Sequence, residues 1–538
     1  ALLYFDPATP SFAAPKAAAL LLIAVLALPW LPKPGLRWGM ALGALLLTPL
    51  IALDPSVAVW GRPPRAEGVL FLGAVLLLAL LARDLSRAEA RWLDRSAHLG
   101  GALLALGVLV GVFQLSLPGL PPGFDKGHGG TLGNPNTAGA VLAALLVHAA
   151  ARGDGWRLLM PLYAAALFGT GSRAAWLAML LGLAWLLPAG LLRRAALGLL
   201  GAGALAMFAA LSLRAEPAPS AALRVELWGA ALRALAPTER AEDPLGRVRW
   251  LIGYGPEQQA EVLERHRRAQ QNAWEDGGHE RVADRAHSLP LDLWLNFGLA
   301  GLLLCYAMLR RIRHAGASPP AAAALALLGA GLFGFYGPAE WLLLALWLAR
   351  CQPTEREATP LHAWRLRLAG SLALGLVALG LGLHAHPAAR EMESRQKLEA
   401  EYRELSTRTD TATALRALSE RVCARATARA QDGEAVLLCA QTALAAGELM
   451  QAASAAQRAT RLRPARPRAW LLLALADPAR PQPALRGLRD TLQHARLDPE
   501  TRRRWAAALD RAASQHPTWQ TLAEYREVLR LLDASALL

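Results

Sequence analysis

Long stretches of this 538-residue chain carry no charge, and that limits its fold more than any other feature. The runs 17–31, 41–53, 68–82, 99–117 and 371–383 contain no Asp, Glu, Lys or Arg. A helix needs about 20 mostly apolar residues to cross hydrocarbon, so flanking residues must complete the shorter runs. One Arg or Lys at mid-bilayer costs about 2.5–3.5 kcal/mol on insertion scales. Charged residues make up 18% of the chain, against about 25% in soluble domains. The pattern predicts an all-α fold, a polytopic membrane bundle of about 12 transmembrane helices. The spans are expected near 13–31, 36–53, 67–82, 97–117, 132–151, 156–171, 173–188, 191–213, 288–309, 320–336, 338–350 and 364–386. One long broken helix is the alternative for the pair around Gly334-Phe-Tyr-Gly-Pro338.

The net charge is +15. A basic balance can announce nucleic acid, but here the excess sits in short loops between apolar runs, which reads as topology and excludes a nucleic-acid partner. Arg83, Arg87, Arg91 and Arg95 mark a cytoplasmic connection, as do Lys33/Arg37, Arg152/Arg157, Arg193/Arg194 and Arg310/Arg311/Arg313. These fall on alternate connections. The connections 54–66, 118–131, 171–172 and 214–287 are then external. The last holds 11 Arg and 12 acidic residues, and long loops translocate largely regardless of charge. Both termini come out external. An external start without a signal peptide, on a chain that opens with Ala1, implies a further helix upstream.

Residues 1–387 are thus expected to form the membrane domain, and 388–538 a soluble external domain. The latter is polar, rich in Ala and Arg, and helical in pattern. Its stretch 435–464 reads as a helix hairpin, with small residues at Ala440, Ala443, Ala453 and Ala456, a turn at 446–448 and a closing Pro464. The next unit begins near Pro467 with Trp470. This resembles tetratricopeptide-type repeats of period near 34, which usually bind polypeptide; a spacer is the alternative. Cys423 and Cys439 either pair in a disulfide closing a loop of about 15 residues, worth roughly 3 kcal/mol, or remain buried thiols. No cysteine has metal-ligand spacing.

Polar groups at membrane depth are functional candidates. Three external places stand out. Gly127-His-Gly-Gly-Thr-Leu-Gly-Asn-Pro-Asn136 precedes an apolar span, with Asn136 placed to cap it. Gly169-Thr-Gly-Ser-Arg173 joins two spans with almost no loop, so Arg173 must find a partner near the surface. A guanidinium binds phosphate oxygens bidentately; simple snorkelling is the alternative. The long loop offers Arg224 on a short amphipathic helix ending at Trp228, the turn Gly253-Tyr-Gly-Pro256, and Arg285-Ala-His287 at the mouth of the next span. His287 is a plausible general base at neutral pH, although a lone His is more often structural.

Taken in order, Gly133-Asn-Pro-Asn136, Thr170-Gly-Ser-Arg173, Arg224-x-x-x-Trp228, Gly253-Tyr-Gly-Pro256 and Ala286-His287 running into Asn296-Phe-Gly-Leu-Ala-Gly-Leu302 resemble the O-antigen ligase/polymerase superfamily. That group spans lipopolysaccharide O-antigen ligases, O-antigen polymerases and protein O-oligosaccharyltransferases. The resemblance covers about residues 60–350, and the helical extension fits the oligosaccharyltransferase branch and some polymerases. It implies an enzyme of the bacterial inner membrane working on the periplasmic side. The reaction would be an inverting, metal-independent and cofactor-free transfer of a glycan from undecaprenyl diphosphate to an acceptor hydroxyl on a glycan, a protein or a lipid. Arg173 and Arg224 would neutralise the diphosphate leaving group, and His287 would take the acceptor's proton. Asn134 and Asn136 would shape the donor pocket, with Arg285 and Tyr254 also binding substrate. Lys16 and Arg65 join the set because they face outward near the membrane. Ser288 follows His287 where many relatives have Asn.

Two other classes compete. A flippase for lipid-linked glycans should carry polar residues through the midplane in repeated halves, yet the polar motifs cluster at one face. A scaffold whose repeats recruit an envelope enzyme would turn over no donor.

Overall fold

The computed structural model describes residues 14–27, 36–62, 65–115, 128–212, 219–238, 243–269, 283–351, 387–406, 411–428, 431–495 and 497–533. Every regular element among them is helical. The chain divides into two compact units. The first comprises 1–210, 250–257 and 287–389; the second comprises 211–249, 258–286 and 390–538. The loop expected at 214–287 inside the membrane domain is therefore shared between units.

The first unit holds α1 (Ala14–Ala27), α2 (Leu36–Leu47), α3 (Pro55–Trp60), α4 (Val69–Arg83), α5 (Arg87–Val112), α6 (Pro135–Arg152), α7 (Met160–Thr170), α8 (Arg173–Trp185) and α9 (Leu191–Ser212). The second unit's α10 (Pro219–Leu235) follows. The short α11 (Arg249–Ile252) opens the inserted segment 250–257, and α12 (Gln259–His266) belongs to the second unit. The first unit resumes with α13 (Leu289–Phe297), α14 (Leu299–Ala315), α15 (Pro319–Gly331) and α16 (Pro338–Arg350). The span expected at 364–386 lies outside the described residues.

By length and composition one described helix, α5, could cross a membrane, while α4, α8 and α15 are apolar but shorter. The outward surface of α5 is apolar at helical spacing. Leu99, Leu103 and Leu106 are exposed, whereas Leu104, Ala105 and Val108 are fully buried. A helix apolar all round is suited to an apolar surrounding on both sides. Helix α6 is the centre, buried from Thr137 to Ala149. Small residues let its neighbours approach closely. A Cβ on Gly182 of α8 would come within 2.8 Å of Val147 and 3.1 Å of the Ala322 carbonyl on α15.

The spans expected at 320–336 and 338–350 are two helices, α15 and α16, with a turn between them rather than one long broken helix. The span 288–309 is also two helices, broken at Gly298 with φ +59°. The inserted segment explains the break. Tyr254 N–H donates to the Leu295 carbonyl at 2.7 Å and Gly255 N–H to that of Asn296 at 3.0 Å. A Cβ on Gly298 would fall 2.2 Å from the Leu251 carbonyl oxygen, and one on Gly253 2.5 Å from that of Asn296. The two glycine motifs fit each other, backbone against backbone.

One end of this unit is closed by a buried polar group. Asp94 on α5 accepts from Arg152 of α6 at 3.0 Å and from Arg350 of α16. Beside it His98 and His148 pair at 3.1 Å, and His98 meets the Tyr163 hydroxyl of α7 at 3.1 Å. Four helices are thereby tied together at the end where the arginines were expected.

The second unit adds α17 (Pro387–Ser406), α18 (Ala412–Ala428), α19 (Gly433–Ala445), α20 (Leu449–Leu462), α21 (Pro467–Ala476), α22 (Gln482–Leu492), α23 (Pro499–Gln515), α24 (Thr518–Thr521) and α25 (Ala523–Leu532). The hairpin expected at 435–464 is α19 and α20, turned at Gly447 with φ +78°. Ala440, Ala443 and Ala456 are buried in it, and Ala452 holds the place expected of Ala453, which is half-buried. Cys423 and Cys439 are disulfide-bonded across α18 and α19, with Cα atoms 4.8 Å apart.

Candidate active site

At the other end of the first unit, away from Asp94, the starts of α6, α8, α13 and α16 gather. Asn134, not Asn136, caps α6. Its side-chain oxygen accepts from the N–H groups of Asn136, at 2.8 Å, and Thr137. Pro135 at the first helical position holds Asn134 extended, at φ −133°, ψ 124°, which is the cap conformation. Asn136 is thereby released for another contact, and its Oδ1 accepts from the Ser172 hydroxyl at 2.9 Å. His128 reaches the same junction, its Nδ1 3.0 Å from the Gly169 carbonyl. The two motifs that the sequence keeps more than 30 residues apart are therefore bonded to each other twice.

Ser172 in turn caps α8 through the Ala175 N–H, and Arg173 is the first residue of that helix. Arg173 is exposed. The partner expected for it is absent: among the described residues no polar group or aromatic ring engages its guanidinium.

His287 stands at the entry to α13, half-buried, with φ +53°. Left-handed backbone is uncommon outside Gly, though His tolerates it better than most residues. Its ring lies edge-on to Phe335, centroids 5.0 Å apart. The Arg65 guanidinium covers the same Phe335 at 4.2 Å from the ring centre, a cation–π contact. Two expected residues, Arg65 and His287, thus share one aromatic neighbour.

That neighbour was missed in the sequence, as was Glu340. Phe335 sits in the 332–337 turn. Glu340, the only acid in 319–350, is fully buried in the first turn of α16. Gly337 N–H donates to its Oε2 at 3.2 Å, and Thr137 of α6 and Arg65 lie close enough to act on its charge. The turn also seats Tyr336 against Leu289, two residues past His287: a Cβ added to Gly331 would touch both. The 334–340 stretch therefore joins the Arg65, Asn134–Asn136 and His287 regions. A lone acid in an apolar helix was the signal that could have found it.

The remaining expected residues are placed differently. Tyr254 is buried, packed with the 250–257 insert against α13. Arg224, on α10, and Arg285, which is buried, belong to the second unit. Lys16 is in the first turn of α1; its side chain lies outside the described residues.

One polar end of this bundle thus presents an exposed arginine, Arg173, and a half-buried histidine, His287. Residues 158–306, which run from α7 into α14, match the family model described as O-Antigen ligase. Over those residues the chain is similar to the O-antigen ligase superfamily, a match that supports glycosyl transfer at a membrane in general terms. No curated protein matches the chain.

Proposed function

We propose that this protein transfers a glycan from undecaprenyl diphosphate to an acceptor hydroxyl at the external face of the bacterial inner membrane. The carrying observation is the junction of Asn136 with Ser172 at the start of α8, where Arg173 is exposed and, among the described residues, unpartnered. An exposed guanidinium at a helix start, where backbone N–H groups also favour anions, suits a diphosphate. Charge grows on that leaving group in the transition state, so the cation is worth most there. Arg224 is the second diphosphate ligand in this reading, and His287 accepts the proton of the attacking hydroxyl. Asn134 acts by capping α6 and Asn136 by holding Ser172. Lys16, Arg65, Arg285 and Tyr254 complete the substrate surroundings.

The fuller architecture belongs to the same reading: about twelve transmembrane helices, residues 1–387 as the transferase domain with its external 214–287 loop, and a periplasmic tetratricopeptide-like domain at 388–538. The Cys423–Cys439 disulfide supports the external side, since such bonds persist in oxidising compartments. The C-terminal helices favour a polymerase or a protein oligosaccharyltransferase over a lipid A ligase. The clustering of the polar motifs at one end of the bundle speaks against a flippase. Membranes containing His287→Ala, given lipid-linked donor and acceptor, should lose transfer by about 10²-fold or more, the scale of general-base catalysis. Undiminished turnover would remove His287 as the base. Arg173→Ala should lower kcat more than it raises the donor KM, because its contact strengthens in the transition state.

A further inference from the structure

We propose that the C-terminal helices bind a polypeptide in cis: their partner is the chain's own segment 258–267, and Arg463 and Arg466 are positioning residues for transfer. This rests on the reading of Arg224 as a diphosphate ligand.

Helix α12 is only eight residues long, and all eight are buried although five of them are Gln, Glu, Arg or His. Burying charge is tolerable only where partners replace water. The partners come from α19 to α21. Glu264 accepts from Arg466 Nε at 2.9 Å and Nη2 at 3.0 Å, a two-point contact. It also accepts from Arg267 at 3.0 Å. Glu261 takes the N–H of Gly433, the first residue of α19, at 3.3 Å. Arg463, fully buried, lies 3.6 Å from Glu261 and 2.7 Å from Glu434. Arg265 bonds to Gln431.

The receiving side is shaped for this. A Cβ on Gly433 would lie 2.4 Å from Arg463 Nε, so only glycine lets that arginine pass to the segment. Charge balances across the contact: Glu261, Glu264 and Glu434 face Arg267, Arg463 and Arg466. A foreign peptide would have to displace this set and leave buried charges unpaired, so the face is committed to its own loop.

The clamp extends to α10. Arg233 Nε donates to the His266 carbonyl at 3.0 Å. Arg224 stands nine residues before Arg233 on the same helix, about 13 Å along its axis. Seating α12 therefore fixes the helix that carries Arg224.

The test uses the full-length protein in membranes. Glu264→Gln and Arg466→Lys keep size and remove either the charge or the two-point geometry; Glu264→Arg, Arg466→Glu and the doubly exchanged E264R/R466E form a cycle. Each single change should lower kcat/KM for donor at least tenfold, with kcat per folded protein falling more than KM rises, and should quicken protease cleavage within 258–286 measured without donor. The exchanged pair should recover part of both. Faster cleavage with unchanged kcat and KM per folded protein would make the clamp purely structural and overturn the proposal. So would unchanged cleavage in all single variants. A parent protein that shows no donor-dependent transfer would instead overturn the functional reading, while the cleavage cycle would still decide whether the clamp exists.

Discussion

His287 concentrates the residue-scale argument. A left-handed histidine stores of order 1–2 kcal/mol that another backbone setting would release, so something must hold it, and Phe335 with Arg65 borders it on one side. His287→Gly should unfold no earlier than the parent while losing transfer, because glycine adopts φ +53° freely. His287→Val, β-branched in the same conformation, should melt several degrees lower. Thermal unfolding in detergent separates the two; equal destabilisation by both would remove the strain. Glu340→Gln keeps the acceptor for Gly337 and removes the carboxyl near Thr137 and Arg65. It should leave melting unchanged yet reduce kcat/KM about tenfold or more, given roughly 1.5–3 kcal/mol for a contact to a charged group. Full activity in that variant would leave Glu340 a cap alone. Arg173 and His287 were readable because motif order carries them. Glu340 was not, since one acid at a helix start also reads as a cap, and here Gly337 shows that it is one too.

At the scale of elements, hydropathy found the helices and missed their breaks. Apolar runs report the need for an apolar surrounding, and α1 through α16 of the first unit follow them closely. The kink at Gly298 answers to a segment more than 40 residues earlier in the chain, so local pattern holds no trace of it beyond the glycine itself. Gly253 and Gly298 were both quoted as motif residues, yet nothing in their spacing says that they touch. Gly316 gives a control: it has φ +63° and open space around its Cβ position. Gly316→Ala should cost about 1 kcal/mol, the left-handed strain alone. Gly298→Ala adds overlap with the Leu251 carbonyl and should cost several times as much, unseating 250–257. Melting of the two variants, with proteolysis of the insert, compares them directly; similar losses would mean that the close fit carries no energy.

The whole molecule is organised by chain exchange rather than by a domain boundary. The chain passes between units at 210/211, 249/250, 257/258, 286/287 and 389/390. Composition marked three of these, near 210/211, 286/287 and 389/390, where apolar and polar sequence meet, but not the excursion at 250–257. The loop was expected as an external loop of the membrane domain, whereas its flanks fold into the second unit through charges that pair only in three dimensions. That dependence predicts an acid limit. Burial alone would raise the Glu264 carboxyl, but Arg466, Arg267 and Arg463 overcome burial and hold it at about 2, below its ordinary 4.5. A carboxylate depressed on folding contributes stability that is fully present above pH 4.5 and is lost as pH falls toward 2. Melting of the second unit, followed with the Cys423–Cys439 bond intact, should therefore be insensitive to this group from pH 7 to 5 and fall between pH 4.5 and 2. Glu264→Gln, which has nothing to titrate, should start lower at neutral pH and lose less over the same acid window. If parent and variant lose stability in parallel through that window, the loop is not held by this carboxylate, and the joint between loop and C-terminal helices must draw its strength from elsewhere in the network.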